Sequence, residues 1–309
     1  MIVILGGSGF VGTNVIDVLK ENGKQFVSTS RSQGVDLRDL NACIKFFEET
    51  KPKYIINCAA HVGSLNYVTE QAGDVVLDNS RMILSMYEAI SKVCPEAVVI
   101  NPIANCAYPA NADTFIEDNW WNGHLHRSVL SYGATKRLLW TVGESFSMQH
   151  GIKSIYLLVP NMYGPYDSTD PNKAHALNAL ISKFVKAEKL NHNEIPIWGT
   201  GIAIREWLYA KDFGRIVVEI LNNPDMIGLA EPLNVAQNFG LSVKELVEII
   251  KVSFHYKGKI TWDPMKPDGA PKKVMDDRRF RKVFPNFQFT VFNEGIKHTV
   301  KYYESQYPY

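Results

Sequence analysis

The chain has 309 residues, of which 46% are apolar and 21% charged, with a formal net charge of +1. That balance excludes a sequence-independent nucleic-acid surface, which needs a basic excess, and no apolar stretch is long enough to span a membrane. Cys43, Cys58, Cys94 and Cys106 have no paired or metal-like spacing, so Cys43, Cys58 and Cys94 read as reduced thiols and no metal site is expected.

The opening "MIVILGG" runs straight into a glycine loop, so no leader is expected and the chain reads as cytoplasmic. "IVIL" (2–5) is a continuous apolar run of the length of a buried parallel strand. "TNVIDVLKENG" then reads as an amphipathic helix closing on Gly23. "QFVSTS" is the next strand, "LNACIKFFEETK" a helix and "YIINCAA" a strand. "DNSRMILSMYEAISKV" is again a helix and "AVVIN" a strand. A helix over "SYGATKRLLWTVGESF" and a buried strand "SIYLLVP" continue the alternation. Such alternation predicts an α/β fold with a Rossmann-type, doubly wound parallel sheet. After Pro160 the segment "NMYGPYDSTDPNK" is rich in turn residues and is expected as a loop. Helices over 174–188, 242–253 and 291–305, with short strands such as "IPIW" and "KITW", predict a smaller, discontinuous C-terminal α/β lobe. The expected division is a dinucleotide-binding domain over 1–163, with 205–235 returning to it, and a substrate lobe from 164–204 and 236–309.

Gly6, Gly9 and Gly12 give G-x-x-G-x-x-G between the first strand and the first helix. Glycine is needed there for a tight turn and for close approach of backbone to a pyrophosphate, which the helix N-terminus then holds. Phe10 and Val11 lie within that turn and join the candidate cofactor residues. The alternative, an ordinary tight turn, loses weight because the triplet opens a βαβ pattern. An NAD site usually carries an acid at the end of the second strand. Here that strand leads to Arg31, whose guanidinium suits the 2′-phosphate of NADP. NADP(H) is therefore the expected cofactor, with a merely solvent-exposed arginine as the alternative. Asp36 and the backbone of Leu37 are expected at the adenine edge. Ala59, Ala60, Pro160 and Asn161 complete the expected cofactor set. Asn161 either orients the substrate or only initiates a turn.

Tyr132 and Lys136 stand four residues apart on a predicted helix and so share a face. A tyrosine with a pKa of about 10 is a poor acid–base group at neutral pH. An adjacent ammonium favours its phenolate, as does a positively charged nicotinamide. The pair gains its weight from lying downstream of a glycine-loop nucleotide fold.

Seven motifs follow in order: "CAAHVGS" (58–64), "NCAYP" (105–109), "YGATK" (132–136), "PNMYGPYD" (160–167), "HALNALISKF" (175–184), "IWGTGIAIREWLYAKD" (197–212) and "KPDGAPKKVMD" (266–276). Together they resemble the extended short-chain dehydrogenase/reductase family, and within it the GDP-L-fucose synthase group, over essentially the whole chain. The resemblance implies an NADPH-dependent 3,5-epimerase/4-reductase that acts on a GDP-4-keto-deoxy-sugar and forms a homodimer. It implies that Cys106 and His175 serve as base and acid on opposite faces of the sugar, which inversion through an enolate requires. Tyr132 would then protonate the C4 oxygen as hydride arrives. The other readings are a buried structural thiol for Cys106 and a surface or capping histidine for His175.

One position departs from the family. Its serine, two residues before the cysteine, is Ala104 here. Losing one such carbonyl donor commonly costs ~10²–10³ in rate. Asn105 offers an amide, yet on a regular strand it points away from the face that Ala104 serves. The remaining substrate contacts implied are Asn161, His175, Trp198, Arg205 and Lys183, the last standing where the family tends to use arginine. Lys272 or Lys273 is expected at the diphosphate, and Trp198 also reads as core. Two other functions stay open: a reductase-only or epimerase-only enzyme on a related GDP-4-keto sugar or heptose, and a catalytically silent NADP-binding homologue. Ala104 supports the last; intact Cys106, Tyr132, Lys136 and His175 argue against it.

Overall fold

A computed structural model of the chain describes residues 1–112, 114–170, 173–223, 225, 231–266 and 268–309. Pro171 and Asn172 of the turn-rich segment, Pro267 of "KPDGAPKKVMD", and residues 224 and 226–230 of the returning segment lie outside the described residues. The first half runs β1 (Ile2–Leu5), α1 (Phe10–Glu21), β2 (Phe26–Thr29), α2 (Leu40–Thr50), β3 (Tyr54–Asn57), α3 (Leu65–Glu70), α4 (Ala72–Val93), β4 (Val98–Ala104), α5 (Leu130–His150) and β5 (Lys153–Val159). There follow β6 (Asn161–Tyr163), α6 (Ala176–Lys189), β7 (Glu194–Trp198), β8 (Ile204–Tyr209), α7 (Ala210–Asn222) and β9 (Leu233–Asn234). The chain ends with β10 (Gly240–Ser242), α8 (Val243–Ser253), β11 (Lys259–Asp263), β12 (Lys272–Lys273), α9 (Arg278–Val283) and α10 (Phe292–Gln306).

The expected doubly wound sheet is present, in the order β2-β1-β3-β4-β5-β9 with every pair parallel. Its strands are uncharged in β1 to β4 because both faces are covered. Side chains alternate between the two faces. Val3, Leu5, Ile55, Val99 and Ile103 pack with Phe47 and Tyr87 on one face, and Ile4, Ile56 and Ile100 pack with Val15, Phe213 and Ile216 on the other. The chain passes from β1 to β2 on one side and returns to β3 on the other. The strand order therefore reverses at β1/β3, where ligands of open α/β sheets bind.

A smaller sheet runs β10-β8-β12 with β6 also on β8, and β11 pairs with β7. Helices α6, α8 and α10 cover it through Leu177, Phe184, Leu246, Ile250 and Tyr303, which pack on Trp207. Three expectations are corrected. Asn161–Tyr163 is a strand rather than loop, since Met162 and Tyr163 are buried against β8 before Gly164 and Pro165 turn the chain. β4 runs on past Pro102 to Ala104. Its pairing with β3 ends at Ile100, so the proline, which lacks an N–H, meets only β5. Helix α4 also begins earlier than its periodicity suggested, at Ala72, with α3 ahead of it.

Glu206 on β8 ties the two layers together. It is fully buried, and its carboxylate accepts the backbone N–H of Gln237 at 2.6 Å and of Met275 at 2.7 Å. Burial pushes its pKa from 4.5 up to about 7, against the pull of those N–H groups. An acid whose pKa is raised on folding loses stability as pH climbs from its unfolded to its folded value, because only the unfolded chain has released the proton. Glu206→Gln cannot titrate. Urea unfolding from pH 4.5 to above 7 should therefore show the wild type losing roughly 3 kcal/mol relative to the Gln variant. A constant difference between the two would refute the assignment.

Candidate active site

The turn after β1 is built on close contact. Gly6 has φ +78°, and a Cβ there would lie 2.7 Å from the backbone nitrogen of Ala59 in the loop after β3. A Cβ on Gly12 would lie 2.2 Å from the Gly6 carbonyl oxygen. Gly9 caps α1 without a side chain, and the first turn holds no acid. The N–H groups of Phe10, Val11 and Gly12 are thus the unsatisfied donors of a helix start facing a side-chain-free cradle. This fits a dinucleotide pyrophosphate.

Arg31 opens a short 3-10 turn after β2, where its carbonyl accepts the Gly34 N–H at 3.2 Å, and its exposed guanidinium makes no hydrogen bond or ion pair among the described residues. Asp36 instead directs its oxygens at Arg38, at 2.6 and 2.9 Å, and this guanidinium holds its pKa at about 2. Arg38 also meets Asp78 at 3.0 Å, and Asp78 meets His61 at 3.0 Å. Leu37 is buried and lines a small cavity with Asn57, Ala59, Asn79, Thr135 and Lys136. Ala59 and Ala60 sit half-buried in the loop between β3 and α3.

Helix α5 carries Tyr132 and Lys136. The Lys136 ammonium lies 5.3 Å from the Tyr132 ring centroid and donates to the Pro102 carbonyl at 3.2 Å. The same turn seats the helix on the segment after β4, where a Cβ on Gly133 would stand 2.6 Å from the Cys106 carbonyl oxygen. Burial lowers the Lys136 pKa to about 8, with Cys106 and Cys58 pulling it back. Burial, then Cys106, push the Tyr132 phenol above its usual value, so burial outweighs the expected preference for phenolate. Cys106 is 8% exposed. Burial raises its pKa while Lys273 and Lys136 lower it. Ala104 ends β4 half-buried, opposite Val159. Asn105 is 4% exposed, and its amide nitrogen has no hydrogen-bond partner among the described residues.

His175 holds the N-cap position of α6, but its side chain makes no capping bond. Its ring instead contacts Asp167 and lies 5.4 Å, centroid to centroid, from the Phe10 ring at the start of α1. Burial draws the imidazole pKa down, and the Asp167 carboxylate more than reverses this. Asp167 carries no singular mark in the sequence; an acid eight residues before a histidine, across a turn-rich loop, was the only signal.

The substrate candidates fall into two groups. Lys273, half-buried, interacts with Cys106 and Arg205, while its neighbour Lys272 is exposed. Arg205 donates to the carbonyls of Ile204 at 2.8 Å and Asp268 at 3.0 Å. Trp198 is 54% exposed and so is not core. The ammonium groups of Lys183 and Lys266 lie 5.7 and 5.2 Å from its ring centroid, and Lys183 also donates to the Pro196 carbonyl at 3.0 Å. Pro160 is buried, and the Asn161 amide donates to the Glu206 carbonyl at 3.3 Å. Among the described residues no group of histidine, cysteine and acidic side chains suits a metal ion, and no helix is long and apolar enough to cross a membrane.

Known proteins resemble this chain over nearly its whole length. The chain is 28% identical over 303 residues to the probable GDP-L-fucose synthase 1 of Oryza sativa subsp. japonica, covering 98% of this chain and 91% of that one. A GDP-L-fucose synthetase from Naegleria fowleri bound to NADP superposes with a TM-score of 0.85 at 26% identity, covering 99% of this chain and 94% of that one. A GDP-6-OMe-4-keto-L-xylo-heptose reductase from C. jejuni shares the fold, with a TM-score of 0.88 at 23% identity over 99% of this chain and 97% of that one. Residues 2–236 match the model of the NAD dependent epimerase/dehydratase family, and the chain belongs to that family.

Proposed function

We propose that the chain is an NADP(H)-dependent epimerase/reductase of a GDP-4-keto-deoxy-sugar, performing 3,5-epimerisation and 4-reduction in one cleft. One observation carries the reading. A single turn of α5 presents Tyr132 and, through Gly133, abuts the Cys106 turn, so phenol and thiol share one wall. The relatives named as GDP-L-fucose synthases supply the GDP-sugar class.

Bound NADPH would supply hydride to C4 of the sugar. Tyr132, kept protonated by burial, gives its proton to the C4 oxygen. Lys136, fixed by the Pro102 carbonyl, then stabilises the phenolate left behind. Cys106 and His175 exchange the proton α to the ketone from opposite faces; burial holds Cys106 as the thiol, and Lys273 and Lys136 draw it towards the thiolate that abstraction requires. Arg205, Lys273, Lys183 and Trp198 hold the nucleotide diphosphate and sugar. Phe10, Val11 and Gly12 would hold the pyrophosphate of the cofactor through their backbone N–H groups, and Arg31 would hold its 2′-phosphate. A second reading, epimerisation without reduction, is favoured by Ala104, which supplies no hydroxyl to the carbonyl.

Incubation with GDP-4-keto-6-deoxymannose and NADPH tests both readings. Solvent deuterium should enter the sugar ring and NADPH absorbance should fall. Deuterium uptake without oxidation of NADPH selects the second reading, and neither signal overturns both. Tyr132→Phe should abolish oxidation of NADPH and leave deuterium uptake in place. Parallel loss of both in a folded variant would show that the roles are not divided this way. For the cofactor, NADPH should bind at least about tenfold more tightly than NADH, or ~1.4 kcal/mol. Arg31→Ala should remove most of that gap, and equal affinities in the parent chain would overturn the preference.

A further inference from the structure

We infer that Asp167 is the positioning residue of His175, holding the ring by Nδ1 so that Nε2 is the nitrogen offered to the sugar; this deepens the epimerase reading above. Both Asp167 oxygens lie 3.1 Å from His175 Nδ1. One of them also accepts the His175 backbone N–H at 2.8 Å and the Asn178 amide at 2.7 Å. Capping α6 needs only the backbone contact, so the ring contact is additional. An ionised carboxylate only accepts, so Nδ1 must carry a proton. Nε2 is then the one ring nitrogen able to give or take a proton. Asp167 is 6% exposed, which keeps water from competing for its oxygens.

The pair is fixed from the far side by the nucleotide helix. Asn14 of α1 donates to the Pro165 carbonyl at 2.8 Å, and the Tyr166 hydroxyl donates to Asp17 at 2.9 Å. Tyr166 adopts a left-handed φ of 71°, which a side chain of this size takes only when its surroundings impose it. These two contacts set the residues immediately before Asp167, and Phe10 packs on the imidazole itself. The titratable groups around the pair are Tyr302 and Tyr303 of α10, both affected by Asp167, and Asp17 and Tyr166 beyond them. Among these groups the Asp167 charge is what favours the imidazolium. In the proton-return step the Nε2–H bond breaks and the enolate electron pair forms the new C–H bond. The neutral ring then recovers its proton from solvent.

The test reads the imidazole directly, using nitrogen-15 NMR of the full chain without substrate. In the wild type His175 should titrate above 6.5, the ordinary value, and its neutral form should carry the proton on Nδ1. Asp167→Asn keeps an acceptor and removes the charge, so the midpoint should fall by about one pH unit or more. Asn178→Ala removes a different Asp167 contact and should leave the proton on Nδ1. An unchanged midpoint in folded Asp167→Asn, or a wild-type ring protonated on Nε2, overturns the inference. If Asp167→Asn does not fold, the wild-type tautomer and midpoint decide alone. None of these readouts needs a GDP-sugar, so failure of the proposed function would appear separately, as absent deuterium uptake by the wild type.

Discussion

The arrangement depends on how closely α1 can begin to the end of β1. With 2.2 Å between a notional Cβ at Gly12 and the Gly6 oxygen, only glycine allows the helix to start there. Its bare N-terminus is thereby brought to the reversal point of the sheet. The same helix packs on α7, receives Pro165 and Tyr166, and backs the His175 ring with Phe10. A single steric allowance at Gly12 therefore locates the nucleotide turn and the histidine loop together. Moving α1 outward by the width of a methyl group would displace both.

The charges inside the cleft are mutually dependent. Burial favours the neutral forms of Lys136, Lys273 and Cys106. Each amine pulls the thiol towards ionisation, and the thiolate returns the effect. The Tyr132 phenol sees the opposite influence, because a thiolate nearby makes a second anion harder to form.

Much of this was legible from local patterns. The parallel sheet followed from short apolar runs, the nucleotide turn from glycine spacing, and the Tyr132–Lys136 face from a four-residue interval. What escaped depends on pairing across the chain. Strand β6 is three residues long and exists because β8, over forty residues later, lies beside it. Pro102 looked like the end of a strand because the early end of β3 is not a local property. Asp167 looked like a turn residue until the fold turned it onto His175. Lys272 and Lys273 could not be distinguished because period-two alternation fixes which of the two faces inward only once the register with β8 is known. Trp198, ambiguous between core and cleft, is exposed because it lies on the outer parity of β7, whose inward residues are Ile195 and Ile197.

Gly133 sets a limit on how such a protein can diverge. Because a Cβ at this position would stand 2.6 Å from the Cys106 carbonyl oxygen, the helix bearing the phenol packs directly on the turn bearing the thiol. Any shift of α5 that spoiled one group would carry the other with it. Changes at this wall are open mainly to single side chains around it, as at Ala104 and Asn105. Lineages built on this joint should therefore specialise by editing the rim of the cleft while its frame stays fixed.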